Sequence, residues 1–400
     1  MSRQRISLNQ SLWIYGGFVD GYNRHAWAEI AALRARGAEC FILKSPHDRA
    51  GLEQLRRRLG TGDTHAILLW LHPRELGALR PIFQERRNFS VVLDDWWIIP
   101  PWFLRHAEYR IFRKYSGLAV RLGQSPFVCD APPWRVGPVP PSPYATFAKC
   151  FRLPALAASP VVDGLKWFQR RGETLRPESL IYFPFTLEAG TLPLEPEEIQ
   201  YDFGVSGSTC GLWIMRDPFA PFQYTFANLY YDRFRLVEQI GHWEGRPYRV
   251  YNWRRNPKAI PPKSWEDYLR TTRQCRYVVS TGGLHNVAVP KYMEYACVGT
   301  PMIGRKLPFE YPWLDDCLFP VDIMRLTPET LKPLLDEALA RYEQMRRNCL
   351  KWRSRLFELY EPHRLLDLVQ AQIDGQPVPP DYLTEKGIAC DRIRTGASAP

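Results

Sequence analysis

VVSTGGLHNVAVPKYMEYACVGTPMIG, residues 278–304, changes its hydrophobic period twice. The apolar run ending at Ser280 predicts a buried strand, and the glycines at 282 and 283 mark a turn. Pro290 opens a helix, because its missing N–H would lack a partner in a first helical turn anyway. Gly299 ends that helix, and Pro301 enters the next strand. Strand, turn, helix and strand in this order form the repeating unit of a parallel α/β sheet.

The same stretch carries chemistry. Free N–H groups at the start of the helix attract a phosphate, and Lys291 adds a mobile positive charge in its first turn. Glu294, three residues later, shares a face with Lys291. A carboxylate there accepts hydrogen bonds from two ribose hydroxyls. One short helix thus offers a diphosphate site and a sugar site. A plainer account explains the same residues: the helix dipole alone favours an acid in a first turn, and Gly-x-Pro is a common helix-to-strand turn.

Outward from this unit, the pattern repeats. SLWIY (11–15), ECFILK (39–44), AILLWLH (66–72) and SVVLDDWW (90–97) are apolar runs, read as parallel strands buried on both faces. RHAWAEIAALRARG reads as a helix closed by Gly37, and SLIYFPF (179–185) as the last strand of the first half. TLPLEPEE (191–198) is acidic, contains proline and has no helical period, so it reads as a hinge. YDFGVSGST (201–209) then repeats the strand and glycine loop of residues 12–17. YRVYNW (248–253) and RYVVST (276–281) read as strands, and SWEDYLRTTRQC and DRFRLVEQIG as helices. Residues 327–360 read as one long helical tract and EPHRLLDLVQAQI (361–373) as a final helix, with a frayed tail after Gln376.

The expected fold is α/β with two doubly wound units. The expected domains are 1–190, a hinge at 191–198, a second domain at 199–360, a last helix at 361–376 and a tail at 377–400. The glycine loops at 16–17 and 207 follow strands, where ligands of open α/β sheets bind, and both are aimed into one central cleft.

Composition bounds the class. The chain has 400 residues, enough for two cores, and 45% of them are hydrophobic. The formal charge of +11 favours anionic partners, but the basic residues are spread in short runs. Aromatics are abundant, with 14 Trp, 20 Tyr and 20 Phe, and that area is buried or holds something flat. The 9 cysteines include no CxxC pair, so neither zinc spacing nor a disulfide framework is expected. The N-terminus lacks the apolar run of a signal peptide, and no stretch approaches membrane-spanning length. A soluble, cytoplasmic protein without a metal or bound cofactor is expected.

The order strand, glycine turn, Pro-Lys-x-x-Glu, then Ala-Cys-x-Gly-x-Pro resembles the donor-binding signature of GT-B glycosyltransferases, most closely the group-1 and CgeB-like branch. LWIYGG resembles the first strand and loop of their acceptor domain, LIYFPF the strand before their hinge, and YDFGVSGS the opening of their donor domain. The resemblance implies two Rossmann-like domains, acceptor-binding then donor-binding, with the final helix crossing back to the first. It implies a hexosyl- or pentosyl-transferase that takes a nucleotide-diphosphate sugar as substrate and needs no metal. Glu294 would bind the donor ribose, and Lys291 with the backbone at Ser206, Gly207 and Ser208 would hold the diphosphate. Many relatives carry a second Glu eight positions before the ribose Glu; here that position is Asn286, which leaves the stereochemical outcome and the donor sugar open.

Three further groups are candidates. In GGFVDGYNRH, Gly16 and Gly17 let the backbone approach a ligand. Asp20 or His25 there could deprotonate an acceptor hydroxyl, although Asp before Gly more often makes a turn or cap. In VVLDDWWIIPPW, Asp94 or Asp95 is an alternative base, and Trp96, Trp97 and Trp102 either stack on a sugar or pack in the core. In YRVYNWRRN, Asn252 or Trp253 could meet a nucleotide base and Arg254 a phosphate, where relatives contact the nucleotide. The acceptor stays open among a glycan, a small molecule and a modified DNA base. Charge and aromatics also permit a DNA-binding or DNA-base-modifying protein, and Asn286 permits a non-catalytic GT-B partner subunit.

Overall fold

The structure is a computed structural model, and it describes residues 6–16, 24–45, 48–60, 63–69, 73–86, 88–93, 101–112, 180–187, 189–193, 197–206, 212–216, 224–228, 248–251, 264–280, 290–304, 309–310, 312–321, 327–382 and 384–385, with the single positions 71, 236, 240 and 306. Two parallel sheets with surrounding helices form the molecule. The first holds β1 (Leu12–Tyr15), β2 (Glu39–Ile42), β3 (Ala66–Leu69), β4 (Phe89–Leu93), β5 (Arg110–Phe112) and β6 (Leu180–Tyr182) in the order β2-β1-β3-β4-β5-β6. Between them run α1 (Arg24–Ala35), α2 (Arg49–Gly60), α3 (Pro73–Arg86) and α4 (Pro101–His106).

The second sheet holds β7 (Tyr201–Ser206), β10 (Tyr248–Tyr251), β11 (Cys275–Val279), β12 (Met302–Gly304) and β14 (Leu318–Pro320) in the order β10-β7-β11-β12-β14. In both sheets the first strand lies between the second and the third. Each sheet therefore reverses direction beside its first strand, and a doubly wound sheet opens its ligand crevice at that point. The reversal lies between β1 and β3 in one sheet and between β7 and β11 in the other. Helices α5 (Trp265–Arg273) and α6 (Pro290–Cys297) flank β11, and α7 (Pro312–Cys317) precedes β14.

Local chemistry explains the boundaries that matter for the site. Ser264 caps α5, its hydroxyl accepting from Asp267 N–H at 3.1 Å. Gly299 follows α6 with φ of 76°, the left-handed conformation that closes a helix cheaply only at glycine. At Gly304 a Cβ would lie 1.9 Å from the Ser280 carbonyl oxygen, so only glycine lets β12 approach the end of β11.

The sequence pattern misjudged several places. β2 is an edge strand and largely half-exposed rather than buried on both faces. The tract 327–360 breaks at Arg341 into α8 (Pro328–Ala340) and α9 (Tyr342–Leu359), because Arg341 closes the first helix and opens the second. An antiparallel hairpin of β8 (Leu212–Arg216) and β9 (Tyr224–Asn228) was not foreseen, nor were α4 and β5. The tail does not fray at once: Tyr382 is buried edge-on against Tyr360, and β15 (Thr384–Glu385) pairs with β13 (Phe309–Glu310). Residues 118–123, 131–144 and 160–172 lie outside the described residues, as does most of the stretch 232–241.

The last helix, α10 (Pro362–Ile373), packs against α1 and the strand β6. Gln372 accepts from Tyr182 N–H at 2.8 Å and donates to the Tyr182 carbonyl at 2.7 Å, completing the edge strand β6 with a side-chain amide. Gln370 pairs the same way with Leu8 N–H and the Ile6 carbonyl. One apolar core runs from Trp13 and Tyr15 through Phe183 and Phe185 to Tyr292, Tyr295 and α10, so the two sheets share packing at their junction.

Candidate active site

Helix α6 is buried almost all round: Tyr292, Met293, Tyr295, Ala296 and Cys297 are inside, and Glu294 among them is only 5% exposed. An acid in such a run is costly unless donors surround it. Pro290 is the first helical residue, so Glu294 lies in the second turn, not the first. The dipole account of this acid loses its force there, because that effect fades beyond the first turn.

Two groups from different elements supply the contacts. The Tyr268 hydroxyl of α5 donates to Glu294 Oε2 at 3.0 Å. His25 of α1 brings Nε2 to 3.5 Å from Oε1. Helical spacing explains the first: Trp265, Tyr268, Leu269 and Thr272 fall on the side of α5 that packs inward. Lys291 and Glu294, three apart, converge on that same tyrosine, with Lys291 Nζ 5.5 Å from the centroid of the Tyr268 ring.

His25 is held by the chain that leaves β6. Its Nδ1 lies 2.5 Å from the Thr186 carbonyl, which can only accept, so Nδ1 carries the proton. The Thr186 hydroxyl in turn donates to the His25 carbonyl at 2.9 Å, and the ring packs on Phe185 at 5.8 Å. Nε2 is thereby aimed at Glu294. Thr186, Phe185 and Tyr268 were missed in the sequence because no motif marks them.

The other candidates divide. Gly16 follows β1 at the reversal point, and its N–H donates to the Leu69 carbonyl at 2.8 Å, so it is engaged with β3. Ser206 ends β7 at the matching point of the second sheet. Trp102 is partly buried and packed against the first core, stacked on Phe89 at 5.9 Å and on His106 at 4.6 Å, so of its two readings these contacts fit the packing one. Gly17, Asp20, Asp94, Asp95, Gly207, Ser208, Asn252, Trp253, Arg254 and Asn286 lie outside the described residues. Among the described residues no cluster of three or more His, Cys, Asp or Glu could hold a metal ion. The thiols near α6 are poor nucleophiles: burial raises the pKa of Cys297, and a hydrogen bond to Cys349 together with burial raises that of Cys317.

No protein-family model matches the chain, and no curated protein is significantly similar to it. Solved structures are. A glycosyltransferase from Rickettsia africae superposes with a TM-score of 0.50 at 7% identity, covering 90% of this chain and 97% of that one. HepE from Anabaena, solved in complex with UDP-glucose, gives a TM-score of 0.49 at 9% identity over 91% of this chain and 99% of its own. MurG from Acinetobacter baumannii gives 0.40 at 10% identity over 90% and 98%. The fold is GT-B. The Glu294 cluster gathers residues from elements of both sheets, His25 from α1 after β1 and Lys291, Tyr268 and Glu294 from α5 and α6 beside β11.

Proposed function

We propose that this chain is a glycosyltransferase that moves a hexosyl or pentosyl group from a nucleotide-diphosphate donor to an acceptor hydroxyl without a metal ion. One observation carries the reading: Glu294 is a buried carboxylate at the junction of two sheets, met from one side by His25 and from the other by Tyr268. Buried ionisable groups gathered at a topological reversal are the usual mark of a site rather than of stability. In this reading Glu294 accepts from the donor ribose. Lys291 and the leading N–H groups of α6 offset the charge of the departing diphosphate. The acceptor hydroxyl attacks the anomeric carbon as the bond to the diphosphate breaks, and its proton passes to a base among His25, Asp20, Asp94 and Asp95. Positioning and charge stabilisation supply most of the catalysis.

No helix among the described residues is long and apolar enough to cross a membrane. The reading places the enzyme in the cytoplasm, acting on a nucleotide sugar. The test is a thermal-shift screen of UDP, GDP, dTDP and CMP followed by calorimetry on Glu294→Ala. Binding raises the melting temperature of the fold that holds the ligand. Weaker nucleotide binding with a preserved melting temperature supports the reading, and unchanged affinity refutes it.

A further inference from the structure

Tyr268 touches both groups that the proposed donor site needs. Its hydroxyl donates to Glu294 Oε2 at 3.0 Å, the oxygen opposite the one that faces His25. Its ring carries Lys291 Nζ 5.5 Å from the centroid. The ring is backed by Trp265, stacked at 5.0 Å and 30°, whose indole N–H donates to the Thr191 carbonyl at 3.4 Å. Glu and Lys are among the side chains with the most rotamer freedom to lose when ordered. A tyrosine fixed by stacking is a rigid partner for both.

We infer that Tyr268 is the positioning residue of the donor site. Its hydroxyl holds Oε2 so that Oε1 is presented to a ribose hydroxyl, and its π face holds Lys291 over the path of the diphosphate. The inference rests on the reading of Glu294 as the ribose-binding carboxylate.

Calorimetry with UDP, and with GDP and dTDP in parallel, on the full chain tests it. The proteins are the parent, Tyr268→Phe, Glu294→Ala, the double variant and Trp265→Phe, each with its thermal midpoint. Tyr268→Phe keeps the stacked ring and removes one hydroxyl; affinity should fall about 5- to 20-fold, the scale of one lost hydrogen bond to a charge. In the Glu294→Ala background the same change should alter affinity less than about twofold, because the two residues act as one unit. Trp265→Phe disturbs the packing but leaves the hydroxyl, and should stay within about threefold of the parent. If Glu294→Ala weakens binding and Tyr268→Phe does not, the positioning role is wrong while the ribose reading stands. Additive losses, or an equal loss in Trp265→Phe, reduce Tyr268 to packing and overturn the inference. Unchanged binding by Glu294→Ala, or no binding of any of the three nucleotides to the parent, removes both.

Discussion

His25 and Glu294 are 269 positions apart in the chain, and they meet with Nε2 3.5 Å from Oε1. The Thr186 carbonyl holds the ring through Nδ1 and leaves Nε2 facing the carboxylate, so each residue supports the position of the other. A double-mutant cycle of His25→Ala and Glu294→Ala, followed by urea unfolding, should give a coupling of about 0.5–3 kcal/mol. Zero coupling would show that the junction gains nothing from the contact.

Gly304 predicts a sharp steric effect. An alanine methyl would sit 1.9 Å from the Ser280 carbonyl oxygen, which is backbone and cannot swing aside. Gly304→Ala should cost about 3 kcal/mol or more, at the upper end of overpacking effects. Gly77, inside α3, has nothing within 4 Å of the place an added methyl would take and a negative φ, so Gly77→Ala should stabilise by about 0.5–1 kcal/mol. Thermal melts of the two variants should move in opposite directions.

Arg353 of α9 predicts a loss where it ties Leu192 to the end of α6. Its guanidinium donates to the Leu192 carbonyl at 2.7 Å and to the Cys297 carbonyl at the end of α6, and it lies 4.7 Å from the Phe357 ring centroid. Arg353→Met keeps the stem and leaves both carbonyls without this donor. The expected cost is about 2–4 kcal/mol, from unpaired buried acceptors. Limited proteolysis should then cut more readily near residues 189–193. An unchanged cleavage rate and melting point would show that residues 189–193 do not depend on this clamp.

His65 predicts a pH dependence unconnected with the site. Burial lowers its pKa from the ordinary 6.5 to about 4, with Nε2 2.9 Å from the Ser90 hydroxyl oxygen. The folded protein keeps the ring neutral, while the unfolded chain takes up a proton below 6.5. Stability is therefore complete above 6.5 and falls as the pH drops towards 4, by at most about 3 kcal/mol. Urea unfolding between pH 7.5 and 4 should show this slope, and His65→Gln should flatten it.

Much of the fold was legible in the chain. Parallel strands buried on both faces must be apolar throughout, so LWIY, AILL and FSVVL announced themselves. The three-residue strand RIF at 110–112 did not, and β2 was read as a strand but is half-exposed at the sheet edge rather than buried on both faces. The hairpin β8–β9 departs from the alternation of strand and helix that the reading relied on.

The candidate site was legible only as a list. Lys291, Glu294 and His25 could be named from residue type and place, and Pro290 and Gly299 bounded the helix of the first two. By itself the sequence determined which segments become strands and helices and which short helix carries an acid beside a lysine, because those depend on local period and on proline and glycine. Tertiary structure alone decided that Glu294 is buried, that Tyr268 rather than a neighbour in sequence holds one oxygen, and that His25 arrives from a helix beside the other sheet to face the second. The physical reason is range. Periodicity records what a residue does within a turn or two, whereas the partners of a buried carboxylate are chosen by how two sheets and their helices pack.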